Sequence, residues 1–212
     1  MDYKKLADLL FPDITKTMEY YENEVYPKRN LPKGAKVTRL APSPTGFIHL
    51  GNLYGAFVDE RLAHQSGGVF MLRIEDTDEK RKVEGAVETI ISSLEFFGLK
   101  FDEGAGIEGE RGDYGPYFQS RRAEIYQSFV KHLIEMGRAY PCFCTEEELE
   151  ELRNRQVKEN VNTGYYGKWA RDRNLSLEEV EKHLNNNEEF VIRFRSEGSE
   201  EGIIEIDDAI RG

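Results

Sequence analysis

Apolar residues return at helical intervals from the start of the chain: Leu6, Leu9 and Leu10, then, past a break at Pro12, Ile14, Met18, Tyr21 and Val25. This spacing predicts helix over residues 2 to 26, ended by the basic linker YPKRNLPKGAK. VTRLA is a short strand stopped by Pro42 and Pro44, and Leu50 to Gln65 is helical, closed by Gly67 and Gly68. VFMLRIED stays apolar until charge arrives at its carboxyl end, the pattern of a strand buried on both faces of a parallel sheet. Val83, Ala86, Val87, Ile90, Ile91 and Leu94 line one face of the next helix, which ends at Gly98. KFDEGAGIEGERGDYGPY, rich in glycine and acid, reads as a loop. Ser120 to Gly137 is helical again, with Ile125, Tyr126, Phe129, Val130, Leu133 and Ile134 facing inward. Strand, helix, strand, helix in this order predicts an α/β fold built on a doubly wound parallel sheet with right-handed crossovers.

The texture changes after Gly137. AYPCFCT is a short strand, and TEEELEELRNRQVKEN opens with a capping box at Thr145 and Glu148 and continues as a charged helix. EFVIRFRSEG and GIIEIDDAI alternate like an antiparallel pair. The expected organisation is a helical extension over 1–35, an α/β domain over 36–137 and a smaller α+β unit over 138–212.

Charge is abundant and mixed, 33% Asp, Glu, Lys and Arg with a net of -11, so any nucleic-acid contact has to come from a local basic cluster. Cys142 and Cys144, separated by one residue, are badly spaced for a stabilising disulfide and fit a reducing compartment. No apolar run approaches the roughly 20 residues that span a bilayer, and MDYKKLADLL lacks a signal-peptide core. A cytoplasmic protein is expected, with no membrane partner; its oligomeric state is open.

Ligands of open parallel sheets sit beyond the carboxyl ends of the strands. The two turns there read RLAPSPTGFIHLGN and LRIEDTDEKR. The first sets Arg39, Ser43, Thr45, His49 and Asn52 around Gly46 and Gly51, where a helix start offers free N–H groups to phosphate. The second projects Glu75, Asp76 and Asp78 beside Arg73, Lys80 and Arg81. The same residues also suit a capping histidine and a solvated charged turn, and spacing alone leaves both readings open.

The identities of the residues say more. APSPTGFIHLG resembles the signature of class I aminoacyl-tRNA synthetases, with HLGN standing at the HIGH motif. RLAPSPTG together with LRIEDTD resembles the glutamyl-tRNA synthetases in particular, and GPYFQSRR adds a third block in the expected order. The resemblance is strong from Val37 to about Tyr140. It implies the first half of a Rossmann-like nucleotide-binding sheet, with the segment from 138 as part of the inserted, acceptor-stem-binding connective domain.

The resemblance also implies an activity: glutamate is activated with ATP, carried with Mg2+, and then joined to the 3′ end of tRNA(Glu). Arg39 would pair the substrate side-chain carboxylate, Ala41 and Ser43 would shape that pocket, and Glu75 would hold the α-ammonium. Thr45, Gly46, His49 and Gly51 would contact ATP, and His49, Gly51 and Asn52 would form the catalytic turn. The substrate carboxylate is itself the nucleophile, so positioning and electrostatics suffice. Arg81, Gln119 and Arg121 match positions at the acceptor end or pocket rim. Lys158, Lys168, Arg171 and Arg173 would offer positive charge, with Tyr165 and Tyr166 open between RNA stacking and core, and Trp169 read as core.

Some relatives bind zinc through a Cys-x-Cys pair and a later YxxxC stretch. Here YYGKW puts Tyr165 in the tyrosine position and Trp169 where the cysteine belongs, leaving His183 as the one conceivable recruit, so no zinc is expected. Asn52 replaces the last histidine of HIGH, and no KMSKS-type signature occurs in the 212 residues. The expectation is an amino-terminal fragment that is inactive alone. Competing readings are a paralogue that attaches glutamate to a tRNA base, another nucleotidyltransferase with an H-x-G-H loop, and a non-catalytic tRNA- or partner-binding module.

Overall fold

The computed structural model describes residues 1–46, 48–81, 83–196 and 205–208. The first half contains α1 (Tyr3–Leu10), α2 (Met18–Tyr20, continued by a π-helical turn to Val25), β1 (Val37–Leu40), α3 (Leu50–Gln65), β2 (Val69–Leu72) and α4 (Ala86–Phe96). The second contains β3 (Glu103–Gly106), β4 (Gly109–Arg111), α5 (Ala123–Glu135), β5 (Ala139–Cys142), α6 (Glu146–Lys158), α7 (Leu177–Asn185) and β6 (Val191–Phe194). The chain divides into two compact units, Lys16–Ser128 and a second made of Met1–Thr15 with Phe129–Gly212.

In the unit Lys16–Ser128 the sheet order is β1-β2-β3-β4. β1 pairs parallel with β2, Val37 opposite Val69 through Leu40 opposite Leu72, and β2 pairs parallel with β3. The α/β reading of the sequence therefore holds. Phe70 and Leu72 of β2 are fully buried, as an apolar run between two neighbours requires, and Ile74 continues that row. Ala56 and Ala63, two turns apart on α3, face this core with Ile90, Ile91 and Leu94 of α4. Gly68 is obligatory at the entrance to β2, because a Cβ there would lie 1.8 Å from the Lys36 carbonyl oxygen.

Three expectations change in this unit. The segment read as a loop folds back as the antiparallel β3–β4 hairpin, with Gly104 opposite Arg111 and Gly106 opposite Gly109. Backbone bonds hold it, and Gly104, at φ +135, lets β3 approach the Leu72 backbone where a Cβ would clash at 2.3 Å. α4 begins at Ala86, after Gly85 in the left-handed region, so Val83 lies outside it and is exposed. Tyr126 faces outward under the Arg122 guanidinium, while Ser128 is buried.

In the second unit, β5 and β6 form an antiparallel pair running from Ala139 opposite Phe194 to Cys142 opposite Val191. The partner expected for the β6 segment, GIIEIDDAI, falls largely outside the described residues. Leu6, Ala7 and Leu10 of α1 bury against Ile134, Ala139, Phe143 and Val180. The capping box at Thr145 and Glu148 forms as read, and Ser176 with Glu179 makes another on α7. No helix among the described residues is long and apolar enough to cross a membrane.

Candidate active site

The two turns after β1 and β2 are laced together by main chain. Arg73 N–H donates to the Leu40 carbonyl, Glu75 N–H to Pro42 and Val83 N–H to Pro44, each at 3.0 Å. This ladder continues the β1–β2 register beyond the strands and brings Arg39 beside Glu75, 3.5 Å from Arg39 Nη1 to Glu75 Oε1. Arg73 reaches the same carboxylate oxygen at 3.2 Å. Glu75 thus sits between two guanidiniums, and all three side chains retain partial exposure.

His49 is the residue that starts α3, in extended backbone conformation. The Asn52 side chain accepts from the His49 backbone N–H at 3.2 Å, so in this chain Asn52 completes the helix start. The His49 ring lies over Gly51, where a Cβ would meet its Cε1 and Nδ1 at 3.1 Å. His49, Asn52, Ser43, Thr45 and Gly46 line a cavity of about 220 Å³, with Pro42, Ile48 and Ile90 as its apolar wall. The residue that starts the helix and the residue that lines the cavity are therefore one and the same position. Ala41 is half-buried in the turn between Leu40 and that cavity wall.

The second turn is less open than its sequence suggests. Glu75 faces Arg39, while Asp76 and Asp78 have partners of their own. Asp76 accepts from the Ser120 N–H at 2.9 Å and the Ser120 hydroxyl at 2.7 Å. Asp78 accepts from Arg81 Nε at 2.6 Å, and this guanidinium holds its carboxyl below the usual carboxylate range. Gln119 accepts from the Thr77 hydroxyl at 3.3 Å and donates its N–H to the Ile74 carbonyl. Arg121 pairs with Glu110 at 2.7 Å and lies over the Phe118 ring. Sequence reasoning placed Arg73 in the charged cluster of the second turn without pairing it to Glu75, and gave Ile48 and Ile90 no role in this site.

In the other unit, donor atoms of Cys142, Cys144 and Asp172 lie within 4.8 Å of one another. His183, the recruit considered from sequence, is elsewhere: it stacks on Phe143 and bonds Glu188 at 2.6 Å. Asp172 was not anticipated. Its carboxylate accepts from the Phe143 N–H at 2.8 Å and from Arg171 Nε at 3.0 Å, and lies 3.6 Å from Cys144 Sγ. The Tyr165 hydroxyl accepts from the Asp172 N–H at 3.0 Å and lies 3.4 Å from the same sulfur. Burial pushes the Cys144 thiol up to about 11 and raises Tyr165 as well. Arg193 stands over the Tyr165 ring at 4.2 Å. Trp169 is not core: it is half-buried on the wall of a cavity of about 400 Å³, between Lys168 and Arg155.

A helix start that follows a parallel strand, with an arginine and a glutamate paired at the strand ends, is the construction of a class I synthetase catalytic domain, and comparison with known proteins places the chain accordingly. It belongs to the family described as tRNA synthetases class I (E and Q), catalytic domain, whose family model matches residues 36–212. A glutamate–tRNA ligase of Acetivibrio thermocellus is 80% identical over 212 residues, covering 100% of this chain and 39% of that protein. The glutamate–tRNA ligase of Clostridium beijerinckii is 53% identical over 213 residues, covering 100% of this chain and 38% of its own length. Among solved structures, a glutamate-tRNA synthetase from Elizabethkingia anophelis aligns with TM-score 0.71 and 38% identity over 84% of this chain and 36% of that one. A glutamate tRNA ligase from Elizabethkingia meningosepticum, in complex with its amino acid, aligns with TM-score 0.66 and 39% identity over 75% of this chain and 32% of that one. The chain thus spans about 39% of the length of the relative from Acetivibrio thermocellus.

Proposed function

We propose that this chain carries the glutamate- and ATP-binding wall of an ATP-dependent glutamate–tRNA ligase that acts in a reducing, cytoplasmic setting. The observation that carries this reading is the Arg39–Glu75 pair at 3.5 Å, set beside the cavity that His49 lines. That separation is too long for a strong ion-pair hydrogen bond, so the two groups do not satisfy each other. A zwitterionic amino acid with a second carboxylate meets both: its side chain takes the planar fork of Arg39 and its ammonium takes Glu75, while Arg73 holds Glu75 in place. Ala41 and Ser43 shape the same pocket.

Thr45, Gly46, His49 and Gly51 hold the ATP phosphates, which arrive with Mg2+ bound to their own oxygens. His49 stabilises charge that develops as the glutamate α-carboxylate attacks the α-phosphorus, and Asn52 keeps the turn in register. Gln119, Arg81 and Arg121 form the rim toward the tRNA acceptor end. Residues 36–137 are the first half of the catalytic domain, residues 138–212 belong to the connective insertion, and residues 1–35 are a helical extension. The Cys142, Cys144 and Asp172 cluster is a hydrogen-bonded knot with no zinc, because its donors already have protein partners and Arg171 and Arg193 flank it.

A longer enzyme completes the site. Among the described residues β1 is paired on one side only, and the outer face of α3 leaves Leu50 80% and Tyr54 70% exposed, as expected of a surface on which further chain packs. The decisive test is glutamate-dependent ATP–pyrophosphate exchange. An enzyme of the relatives' full length carrying this segment supports it, and this chain alone does not. Exchange by this chain alone would refute the incomplete-site reading, and exchange driven by another amino acid would refute the substrate.

A further inference from the structure

We propose that Arg29 and Tyr26, in the segment ahead of residue 36 where the family match begins, are positioning residues that hold the glutamate pocket's second turn in place. The inference rests on the assignment of Glu75 to the substrate ammonium. Every group in it belongs to the unit Lys16–Ser128.

The connection starts at a buried acid. Glu103, at the start of β3, is 6% exposed, and the Arg29 guanidinium pairs with it. A carboxylate at that depth needs a cation, and Arg29 lies 74 positions away in sequence. The same guanidinium stacks on the Tyr114 ring at 3.6 Å. Two hydroxyls tie the segments further: Tyr26 donates to the Gly115 carbonyl at 2.6 Å and Tyr114 to the Pro27 carbonyl at 2.7 Å. Arg122 donates to the Pro116 carbonyl at 2.7 Å and lies over the Tyr26 ring.

From Glu103 the connection passes to Tyr117, 1% exposed, whose hydroxyl lies beside that carboxylate, a Cβ at Gly112 being 2.6 Å from the one and 2.9 Å from the other, and accepts the Tyr114 N–H at 3.0 Å. The Tyr117 carbonyl accepts the Ile74 N–H, and the Ile74 carbonyl accepts the Gln119 N–H, both at 2.9 Å. Phe118 and Ile74 form an isolated parallel bridge there. Ile74 is the residue before Glu75, and Asp76 on the other side is bonded to Ser120. The turn carrying Glu75 is thus held on its outer side by the stretch from Tyr117 to Ser120, and that stretch is held by the leading segment. Mechanically, Arg29 sets where Glu75 stands opposite Arg39.

The test uses Arg29→Met, Arg29→Lys and Tyr26→Phe. In this chain, amide exchange at Ile74 and Gln119 should quicken at least tenfold in Arg29→Met and less than threefold in Arg29→Lys, with the Ala56 amide of α3 as an unmoved control. In the enzyme of the relatives' full length, Arg29→Met should raise KM for glutamate at least fivefold and KM for ATP less than twofold, with Arg29→Lys restoring most of the loss. Should Arg29→Met fail to fold, Tyr26→Phe removes one hydroxyl and should still quicken both amides at least twofold. Unchanged exchange at Ile74 and Gln119 overturns the proposal. So does faster exchange with an unchanged glutamate KM in an enzyme whose glutamate KM does respond to Arg39→Ala. A glutamate KM unmoved by Arg39→Ala instead refutes the pocket assignment and, with it, the positioning role of Arg29.

Discussion

Glu75 Oε1 lies 3.2 Å from Arg73 Nη2 and 3.5 Å from Arg39 Nη1, so Arg73 is the closer partner and Arg39 is the less tightly held of the two guanidiniums. Arg39→Ala should therefore leave Glu75 in place and remove a charge-assisted bidentate contact. The expected loss is about 2–4 kcal/mol of transition-state stabilisation, expressed mainly in KM for glutamate. Steady-state kinetics on the full-length enzyme check this. An unchanged glutamate KM with normal turnover would sink the assignment of Arg39.

His49 and Asn52 divide two tasks at one helix start. The Asn52 side chain bonds the His49 backbone, which no substitution of the imidazole removes. His49→Ala should lower kcat for pyrophosphate exchange far more than it changes glutamate KM, with little change in Tm. Asn52→Ala should cost about 1 kcal/mol of stability by removing a capping contact. Thermal unfolding and exchange kinetics on both variants separate the tasks, and a His49→Ala enzyme of normal turnover but lowered Tm would return His49 to a purely structural role.

These assignments show what a sequence reveals of such a site. β1, β2 and α3 were legible because contiguous apolar runs and a glycine pair leave few alternatives. The β3–β4 hairpin was not, since Glu-Gly-Ala-Gly pairs through backbone and the absence of a Cβ, neither of which leaves a hydrophobic pattern. Arg39, Glu75 and His49 could be named from local motifs. What the motifs did not reveal is that Asp76 and Asp78 have partners of their own in Ser120 and Arg81. Asp172 was hidden in the charged run RDRN, which reads as solvated surface although the residue is 4% exposed.

Asp172 should be a stability residue of the second unit. It joins the Phe143 backbone to Arg171, and removing it leaves a buried N–H without an acceptor. Asp172→Ala should cost about 2–4 kcal/mol in urea unfolding, and Asp172→Asn less, because the amide oxygen can still accept from Phe143. The same protein, purified without chelator, should carry far less than one zinc per chain by elemental analysis. One zinc per chain, lost in Asp172→Ala, would make the cluster a metal site.

Alkaline pH should loosen that knot. Burial raises the Cys144 thiol from an ordinary 9.0 to about 11, overcoming the lowering effect of the Tyr165 hydroxyl. The unfolded chain therefore loses this proton at lower pH than the folded one. By linkage, the contribution is complete below about pH 9 and is lost as pH rises toward about 11. Tyr117, pushed up to about 12 mainly by its own burial, adds a second loss that begins near its ordinary 10.0. Unfolding free energy should thus fall above pH 9, and Cys144→Ala should flatten the first part of that fall while leaving the contribution of Tyr117 above pH 10 in place. Thiol alkylation gives an independent reading: at pH 8 the folded protein should react slowly at Cys144 and the urea-unfolded protein quickly. Rapid alkylation of folded protein at Cys144 would contradict the raised thiol and remove the basis for the alkaline transition.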